Sequence, residues 1–309
     1  VITTDIERAA RAIWQGGLVA IPTETVYGLA ADATNPDAVR RIYEIKGRPA
    51  DHPLIVHLAD STEFATYAEH PSPAATRLAA VAWPGPLTLI VGRPASITPV
   101  ATGDRDSVGL RVPANPIARR VIEIAGVPVA APSANRFGQV SPTTAEHVLE
   151  DLGDVLDPER DLVLDGGPSL IGVESTIVDC TVDPPELLRT GGVSREELTV
   201  LLDGVADVAA ATGPARASGM LPSHYAPRCE VRCVDTADDA AALVAGTPGS
   251  EILDLSTDVV AYAARLYDEL RSADRRGVRT LIAVLPPPEG LGHAVRDRLT
   301  KAAAPRPQS

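Results

Sequence analysis

The chain has 309 residues, 45% of them hydrophobic, and 28 basic residues against 41 acidic ones give a net charge of −13. A chain this acidic is not expected to bind nucleic acid through counterion release or to dock on anionic lipid, both of which need a basic face. No apolar stretch approaches the roughly 20 residues of a membrane span, and Pro84 and Pro86 interrupt the best candidate. At about 150 residues per domain the length suggests two domains. Only Lys46 and Lys301 are lysines; every other basic side chain is arginine. The N-terminus shows no basic segment followed by an apolar one, so no secretory signal is expected. An odd, sparse set of three cysteines does not build a disulfide framework, and a reducing cytoplasm fits best. Cys229 and Cys233 have no Cys/His cluster nearby to complete a zinc site, so they read as small buried hydrophobes.

In chain order, Thr4 with Glu7 makes a capping box for a first helix that Gly16 and Gly17 close. A short strand, Leu18–Ile21, follows and stops at Pro22. Asn35 followed by Pro36 predicts a capped helix running towards Lys46. Strands are expected at Leu54–Leu58, Leu87–Val91, Val108–Val112 and Val127–Ala131. Helical spacing lies between them at Ser61–Ala68, Ala74–Ala82 and Ile117–Ile124. After Thr143 comes another helix, then strands near Leu162–Leu164, Ser175–Val178 and Glu186–Arg189, and a helix over Arg195–Leu202. Such alternation argues α/β with a mixed sheet. Residues 205–227 are rich in Ala, Gly, Pro and Ser, lack periodicity, and read as a linker. Beyond it, strands Glu230–Val234, Ile252–Leu255 and Leu281–Leu285 alternate with helices Asp238–Ala245 and Val259–Leu270. A terminal helix, Ala294–Ala303, carries Lys301 with no site attached. The expected organisation is a domain over 1–204, a linker over 205–228 and a smaller α/β domain over 229–309.

The sequence carries no phosphate-binding Gly-rich loop with Lys and Ser/Thr, no dinucleotide fingerprint and no nucleophile elbow. Lys46-Gly47-Arg48-Pro49 places a compact cation beside a planar fork, a pair suited to triphosphate oxygens. A basic last turn followed by a C-terminal glycine cap accounts for the same residues. Ser133 and Asn135 follow an apolar strand, where open α/β sheets bind ligands; an ordinary turn is the plainer account. Arg111 lies inside a strand and needs an anion, either a substrate carboxylate or a neighbouring acid. Pro22–Leu29 holds hydroxyls, a carboxylate and an aromatic, so it lines a small polar pocket or caps a helix. His57 lies on the face opposite Val56, as a ligand or as a satisfied core histidine.

Pro22–Leu29, Lys46–Pro49, Pro53–His57, Trp83–Thr88, Gly109–Pro113, Pro132–Asn135 and Glu174–Val178 occur in this order and at fitting distances. Together they resemble the threonylcarbamoyl-AMP synthase family, the YrdC-like fold, over about residues 5–203. Ser218-Gly219-Met220, His224-Tyr225-Ala226-Pro227 and the Gly290–Leu299 ending resemble its two-domain form. The resemblance implies a twisted mixed α/β sheet with a concave binding face, plus a smaller Rossmann-like domain. It also implies a reaction: L-threonine, bicarbonate and ATP give threonylcarbamoyl-AMP and pyrophosphate, for the N6-threonylcarbamoyladenosine modification of tRNA.

Site roles follow from the same resemblance. Lys46 and Arg48 match the K-x-R pair on the triphosphate and are the expected catalytic residues. His52, Ser107, Ser133, Asn135, Ser141, Arg189 and Tyr225 fall at ATP positions, and Thr25, His57, Arg111 and Ser175 at L-threonine positions. His52 stands where Asn is common, and Ser218 where Pro often precedes Gly-Met. Tyr225 belongs to a linker motif expected to fold over the site. Mg²⁺ is expected with the ATP, downstream threonylcarbamoyl-transfer proteins as partners, and tRNA contact only weakly or indirectly. Two rival readings are an RNA-binding module, opposed by the charge, and a carbamoyl-adenylate-forming enzyme, whose longer relatives carry zinc-finger-type Cys motifs absent here.

Overall fold

The computed structural model describes residues 2–202, 217, 219 and 224–305. Strands β1 (Ile2–Thr3), β2 (Val19–Ile21), β3 (Gly28–Asp32), β4 (Ile55–His57), β5 (Leu87–Gly92), β6 (Ser107–Arg111), β7 (Val129–Ala130), β8 (Leu162–Leu164), β9 (Thr176–Asp179) and β10 (Glu186–Arg189) join into one sheet. Its order is β1-β8-β2-β3-β7-β4-β6-β5-β9-β10. Pairing is mixed: β4 runs parallel to β6, whereas β5 runs antiparallel to β6. A second, all-parallel sheet has the order β11-β13-β12, from β11 (Glu230–Val234), β12 (Ser250–Leu253) and β13 (Thr280–Val284).

Helices α1 (Ile6–Trp14), α2 (Pro36–Lys46), α3 (Phe64–Tyr67), α4 (Pro73–Ala82), α5 (Pro99–Thr102), α6 (Pro116–Ala125), α7 (Ala145–Leu152) and α8 (Arg195–Leu202) accompany the large sheet. Helices α9 (Ala237–Ala245), α10 (Val259–Arg276) and α11 (Gly292–Ala303) accompany the small one. Local chemistry sets the helix starts. Asn35 accepts from the backbone N–H groups of Asp37 and Ala38, Asn115 does the same for α6, and a proline occupies the first turn of each. Gly47 closes α2 at φ 62°, where a Cβ would be strained.

Three local expectations differ from the structure. The cap of α1 is Asp5, not Thr4: its carboxylate accepts from the Arg8 N–H at 2.9 Å. Ser61–Ala68 is not one helix, because Asp60 draws Ser61–Glu63 into a tight 3₁₀ turn before α3. Pro22–Leu29 caps no helix. The chain turns back into β3, antiparallel to β2. Gly28-Leu29-Ala30-Ala31-Asp32 has little intrinsic strand preference, so sheet pairing on both sides makes it a strand.

Alternation along the strands separates the two faces of the large sheet. Val56, Leu87, Leu89, Val91, Val108 and Leu110 enter the main apolar core beneath α2 and α4. Ile55, His57, Thr88, Ile90, Ser107, Gly109 and Arg111 face the other way and line clefts. That opposite face carries the candidate site.

The expected linker falls mainly outside the described residues, Ser218 and Met220 included; Ala217, Gly219 and His224–Pro227 are described. Cys229 is buried and Cys233 half-buried, and both are free thiols. The C-terminal unit rests on the first through α10 and α11. Arg271 bridges to Asp151 at 2.6 Å and donates to the Val140 carbonyl at 2.6 Å. The backbone at Gly172 approaches α10 so closely that a Cβ would meet the Ala263 carbonyl at 2.3 Å. Lys301, expected to be unattached, donates to the Gly219 carbonyl at 2.7 Å and so reaches the chain above the site.

Candidate active site

A cavity enclosing about 540 Å³ of empty space, part of it open to solvent, sits on the open face of the large sheet. Two neighbouring strands supply its floor. The β4–β6 ladder places His57 directly opposite Arg111 and Ile55 opposite Gly109. The segment between β2 and β3 adds Thr23, Thr25 and Val26; Pro132 and Ser133 come from the loop after β7, and Glu174 and Ser175 from the entry to β9. Arg48 and Arg189 enter from the sides, and Gly219, His224 and Tyr225 close the remaining wall.

Each cation is held in a specific way. The Arg111 guanidinium donates to Glu24 Oε1 at 2.6 Å, to the Thr25 hydroxyl at 2.9 Å and to the Gly85 carbonyl at 3.2 Å. The partner left open by the sequence is thus, in the protein alone, an acidic neighbour. Burial pushes the Glu24 carboxyl up, but the adjacent guanidinium outweighs it and holds Glu24 ionised. Arg48 donates to the carbonyls of His52 at 3.3 Å and Pro53 at 2.9 Å, and its guanidinium lies 5.6 Å from the Phe137 ring centroid. Arg189 donates to the Ser175 carbonyl at 3.0 Å and to its hydroxyl at 3.1 Å. That hydroxyl also bonds Thr88 at 2.7 Å.

Lys46 does not line the cavity. Its ammonium is buried behind the Ser133 loop and donates to the Ser133 carbonyl at 2.5 Å and to the Asn135 carbonyl. Burial, reinforced by the Arg48 charge, lowers its pKa well below that of a free lysine. The Asn135 amide donates to the carbonyls of Arg136 and Gln139, both at 2.8 Å, while its Oδ1 is buried with no partner.

Two histidines face the cavity with a buried, unpartnered Nδ1: His57 and His224. Burial, with the Arg111 charge beside it, lowers His57 to about 3. Burial also lowers His224 to about 3, despite the favourable charge of Glu174. Both imidazoles are therefore neutral near pH 7. Native interiors rarely leave buried polar atoms unpaired, so two of them around one cavity mark places where a ligand completes the bonding.

Of the residues expected from the sequence, Thr25, Arg48, His57, Arg111, Ser133, Ser175, Arg189 and Tyr225 line this one cavity. Ser107 lines a smaller cleft of about 310 Å³ that shares Ile55 with it. His52 packs edge-on against Phe137 at 5.4 Å, beside Arg48. Ser141 donates to Glu174 at 2.6 Å instead of facing the cavity. The sequence reading assigned no role to Glu24, Phe137, Glu174 or His224, although three of them stood inside quoted motifs. Gly219 was passed over as well. At φ 78° it lies so close to Tyr225 that a Cβ would meet the phenol oxygen at 2.5 Å.

Comparisons with known proteins agree with this geometry. Residues 11–191 match the family described as Telomere recombination, and residues 193–304 match the threonylcarbamoyl-AMP synthase C-terminal domain. The chain is 41% identical to the threonylcarbamoyl-AMP synthase of Pyrococcus abyssi over 325 residues, which cover 97% of this chain and 94% of the relative. It is 38% identical to that of Bacillus subtilis over 330 residues, covering 97% and 93%. The structure of Pyrococcus abyssi Sua5 complexed with L-threonine matches with a TM-score of 0.89 at 40% identity, over 96% of this chain and 94% of that one. A Sua5 variant from the same organism, with an adjacent His–Tyr pair changed to alanines, matches at 0.90 and 38% identity, over 98% and 95%. The chain belongs to the threonylcarbamoyl-AMP synthase family.

Proposed function

We propose that this cavity is where the chain, as a threonylcarbamoyl-AMP synthase, joins L-threonine, bicarbonate and ATP into threonylcarbamoyl-AMP, releasing pyrophosphate and water. One observation carries the reading. The residues expected at L-threonine positions (Thr25, His57, Arg111 and Ser175) and four of those expected at ATP positions (Arg48, Ser133, Arg189 and Tyr225) line a single cavity.

Threonine's amine takes up bicarbonate as a carbamate, whose oxygen attacks the α-phosphorus of ATP while pyrophosphate departs. Positioning and charge neutralisation dominate such a step. Arg111 spends three of its five N–H donors on the protein, and the other two suit the threonine carboxylate. His57, neutral and with an unpartnered Nδ1, offers that nitrogen for a hydrogen bond with the ligand's amine or hydroxyl. Two of the three ammonium donors of Lys46 hold the carbonyls of Ser133 and Asn135 behind the cavity wall, and its part in ATP binding is exercised through the loop that carries Ser133. Arg48 and Arg189 add positive charge along the same wall, in a protein that is acidic overall.

Tyr225, His224 and Gly219 form the wall that excludes water from the hydrolysable carbamate and mixed anhydride. The paired alanine substitution in the Pyrococcus abyssi protein supports giving weight to His224 and Tyr225, this chain's own His–Tyr pair. Mg²⁺ enters on the triphosphate, as part of the substrate. Among the described residues no group of three or more His, Cys, Asp or Glu side chains is arranged to hold a metal ion. We place the catalytic domain at 1–204, the linker at 205–228 and the second domain at 229–309. The compartment we infer is the cytoplasm, with a transfer protein receiving the product and tRNA met only weakly or indirectly.

The test is mass-spectrometric detection of threonylcarbamoyl-AMP, with pyrophosphate release that requires both L-threonine and bicarbonate. ATP consumption indifferent to either substrate overturns the reading.

A further inference from the structure

Glu174 is a carboxylate on the cavity wall that the proposed chemistry does not use, yet it is among the most heavily bonded side chains in the molecule. Only 6% exposed, it takes hydrogen bonds from three separate elements. The Ser141 hydroxyl donates to Oε1 at 2.6 Å from the large unit. Tyr267 on α10 donates at 2.8 Å to Oε2 and 2.9 Å to Oε1, and Arg298 on α11 donates from Nε to Oε2 at 2.8 Å. Arg298 is itself fully buried, and its guanidinium lies 5.1 Å from the ring centroid of Tyr225. Tyr225 in turn stacks on Tyr267 at 5.7 Å.

Burying a paired carboxylate and guanidinium gives little net stability over a well-packed apolar pair of the same size. The position of the pair is what distinguishes it. Glu174 immediately precedes Ser175, whose hydroxyl faces the cavity between Thr88 and Arg189. Its backbone carbonyl accepts from the Gly192 N–H at 3.1 Å, pinning the entry to β9 against the turn that follows Arg189. Arg298 meanwhile supports the ring of Tyr225, and its neighbour Asp297 holds Lys301 at 2.9 Å, with Lys301 on the Gly219 carbonyl. One helix of the C-terminal unit thereby touches both the wall residue before Ser175 and the chain that forms the opposite wall.

We propose that Glu174 is a positioning residue: through Arg298 and Tyr267 the C-terminal unit sets the placement of Ser175 on one side of the cavity and Tyr225 on the other. The inference rests on the functional reading above. It gives the C-terminal unit a part in L-threonine binding and turnover without any of its residues lining the cavity.

Four variants of the full chain test it: Glu174→Gln, Arg298→Met, the two combined, and Tyr267→Phe. Each single charge change leaves its partner buried and uncompensated, so loss of folding in either is expected and decides nothing by itself. The double variant removes both charges and is expected to melt close to the parent, while its turnover falls about tenfold or more and its KM for L-threonine rises. Tyr267→Phe keeps the ring and removes one donor; it is expected to raise the same KM several-fold with melting almost unchanged. A double variant that regains both stability and parental kinetics overturns the proposal, because the pair then serves only to join the two units. If the double variant does not fold, Tyr267→Phe with parental kinetics has the same force. The parent chain is assayed in parallel. If it forms no threonylcarbamoyl-AMP, the functional reading fails separately, and L-threonine affinity by calorimetry across the same variants still decides the role of Glu174.

Discussion

The two sheets treat their polar side chains differently. Around the small C-terminal sheet charges meet partners near solvent: Arg232 with Glu230 at 2.9 Å, Arg276 with Glu251 at 2.7 Å. On the open face of the large sheet polar atoms are buried and some are left unpaired, as at His57 Nδ1, and His224 Nδ1 faces the same space from the other wall. Among the described residues of the C-terminal unit the two unpaired buried side-chain atoms, on Arg271 and Arg298, lie on side chains directed at the large unit, not within its own layers. A buried donor or acceptor without a partner costs stability. Where such atoms cluster, the protein holds places for a ligand's polar groups, and where they are absent it is holding itself together.

Acid gives the sharpest separation of the two regions. His57 and His224 have folded-state pKa values lowered from the usual 6.5 to about 3. The neutral forms belong to the native state, so their stabilisation is fully present above about pH 6.5. It is lost as pH falls towards 3. By pH 5 each is expected to have cost about 2 kcal/mol of stability. Denaturant melts at pH 7 and pH 5 check this, with His57→Asn and His224→Gln flattening the slope. Between pH 7 and pH 5 Glu174 adds almost nothing to the slope: burial raises its carboxyl, but Arg298, Arg189 and Ser141 hold it down at about 2, so its stabilisation is lost only below about pH 4.5. Equal stability at the two pH values would break the comparison.

Substitution of the cations in and directly behind the cavity should follow next in size. Lys46→Arg keeps the charge, yet a planar fork does not fit a buried site built for an ammonium between the carbonyls of Ser133 and Asn135. Pyrophosphate release is expected to fall about a hundredfold, with far-ultraviolet circular dichroism intact. Near-parental turnover would remove Lys46 from the site. Arg111→Lys loses the fork that serves Glu24, Thr25 and Gly85 together. Its KM for L-threonine is expected to rise about tenfold with a smaller change in KM for ATP, measured by varying each substrate in turn.

Much of the large unit was legible because its cues are local. Asn35-Pro36 announces helix α2, apolar spacing over Ile117–Ile124 announces α6, and alternation through Ile55-Val56-His57 put His57 opposite Val56, leaving open a ligand or a satisfied core histidine. Ordered motifs then named most of the residues that line the cavity. What escaped depends on contacts between distant parts of the chain. β3 is a strand because β2 and β7 pair with it, not because its small residues favour one. Glu174 stood in a quoted motif, but its partners Tyr267 and Arg298 lie 93 and 124 residues away, and no local spacing relates them. Lys301 shows the same limit. Its helix was foreseen, while its hold on Gly219 depends on how the second unit docks.

The smallest expected effect closes the comparison from the other side. Arg232 and Glu230 on β11 form an ion pair in which both side chains are about half exposed, at 44% and 54%. Solvent screens such a pair, and ordering two long side chains offsets most of its attraction. Arg232→Ala is therefore expected to change stability by less than about 0.5 kcal/mol and to leave the kinetics for both substrates unaltered. Chemical denaturation and the pyrophosphate assay check the two halves. A loss of turnover in this variant would mean that the small sheet itself acts on the cavity, not only the side of α10 and α11 that carries Tyr267 and Arg298. With stability and turnover both unmoved, the influence of the C-terminal unit is confined to the helix faces that meet Glu174, and the sheet behind them serves as their support.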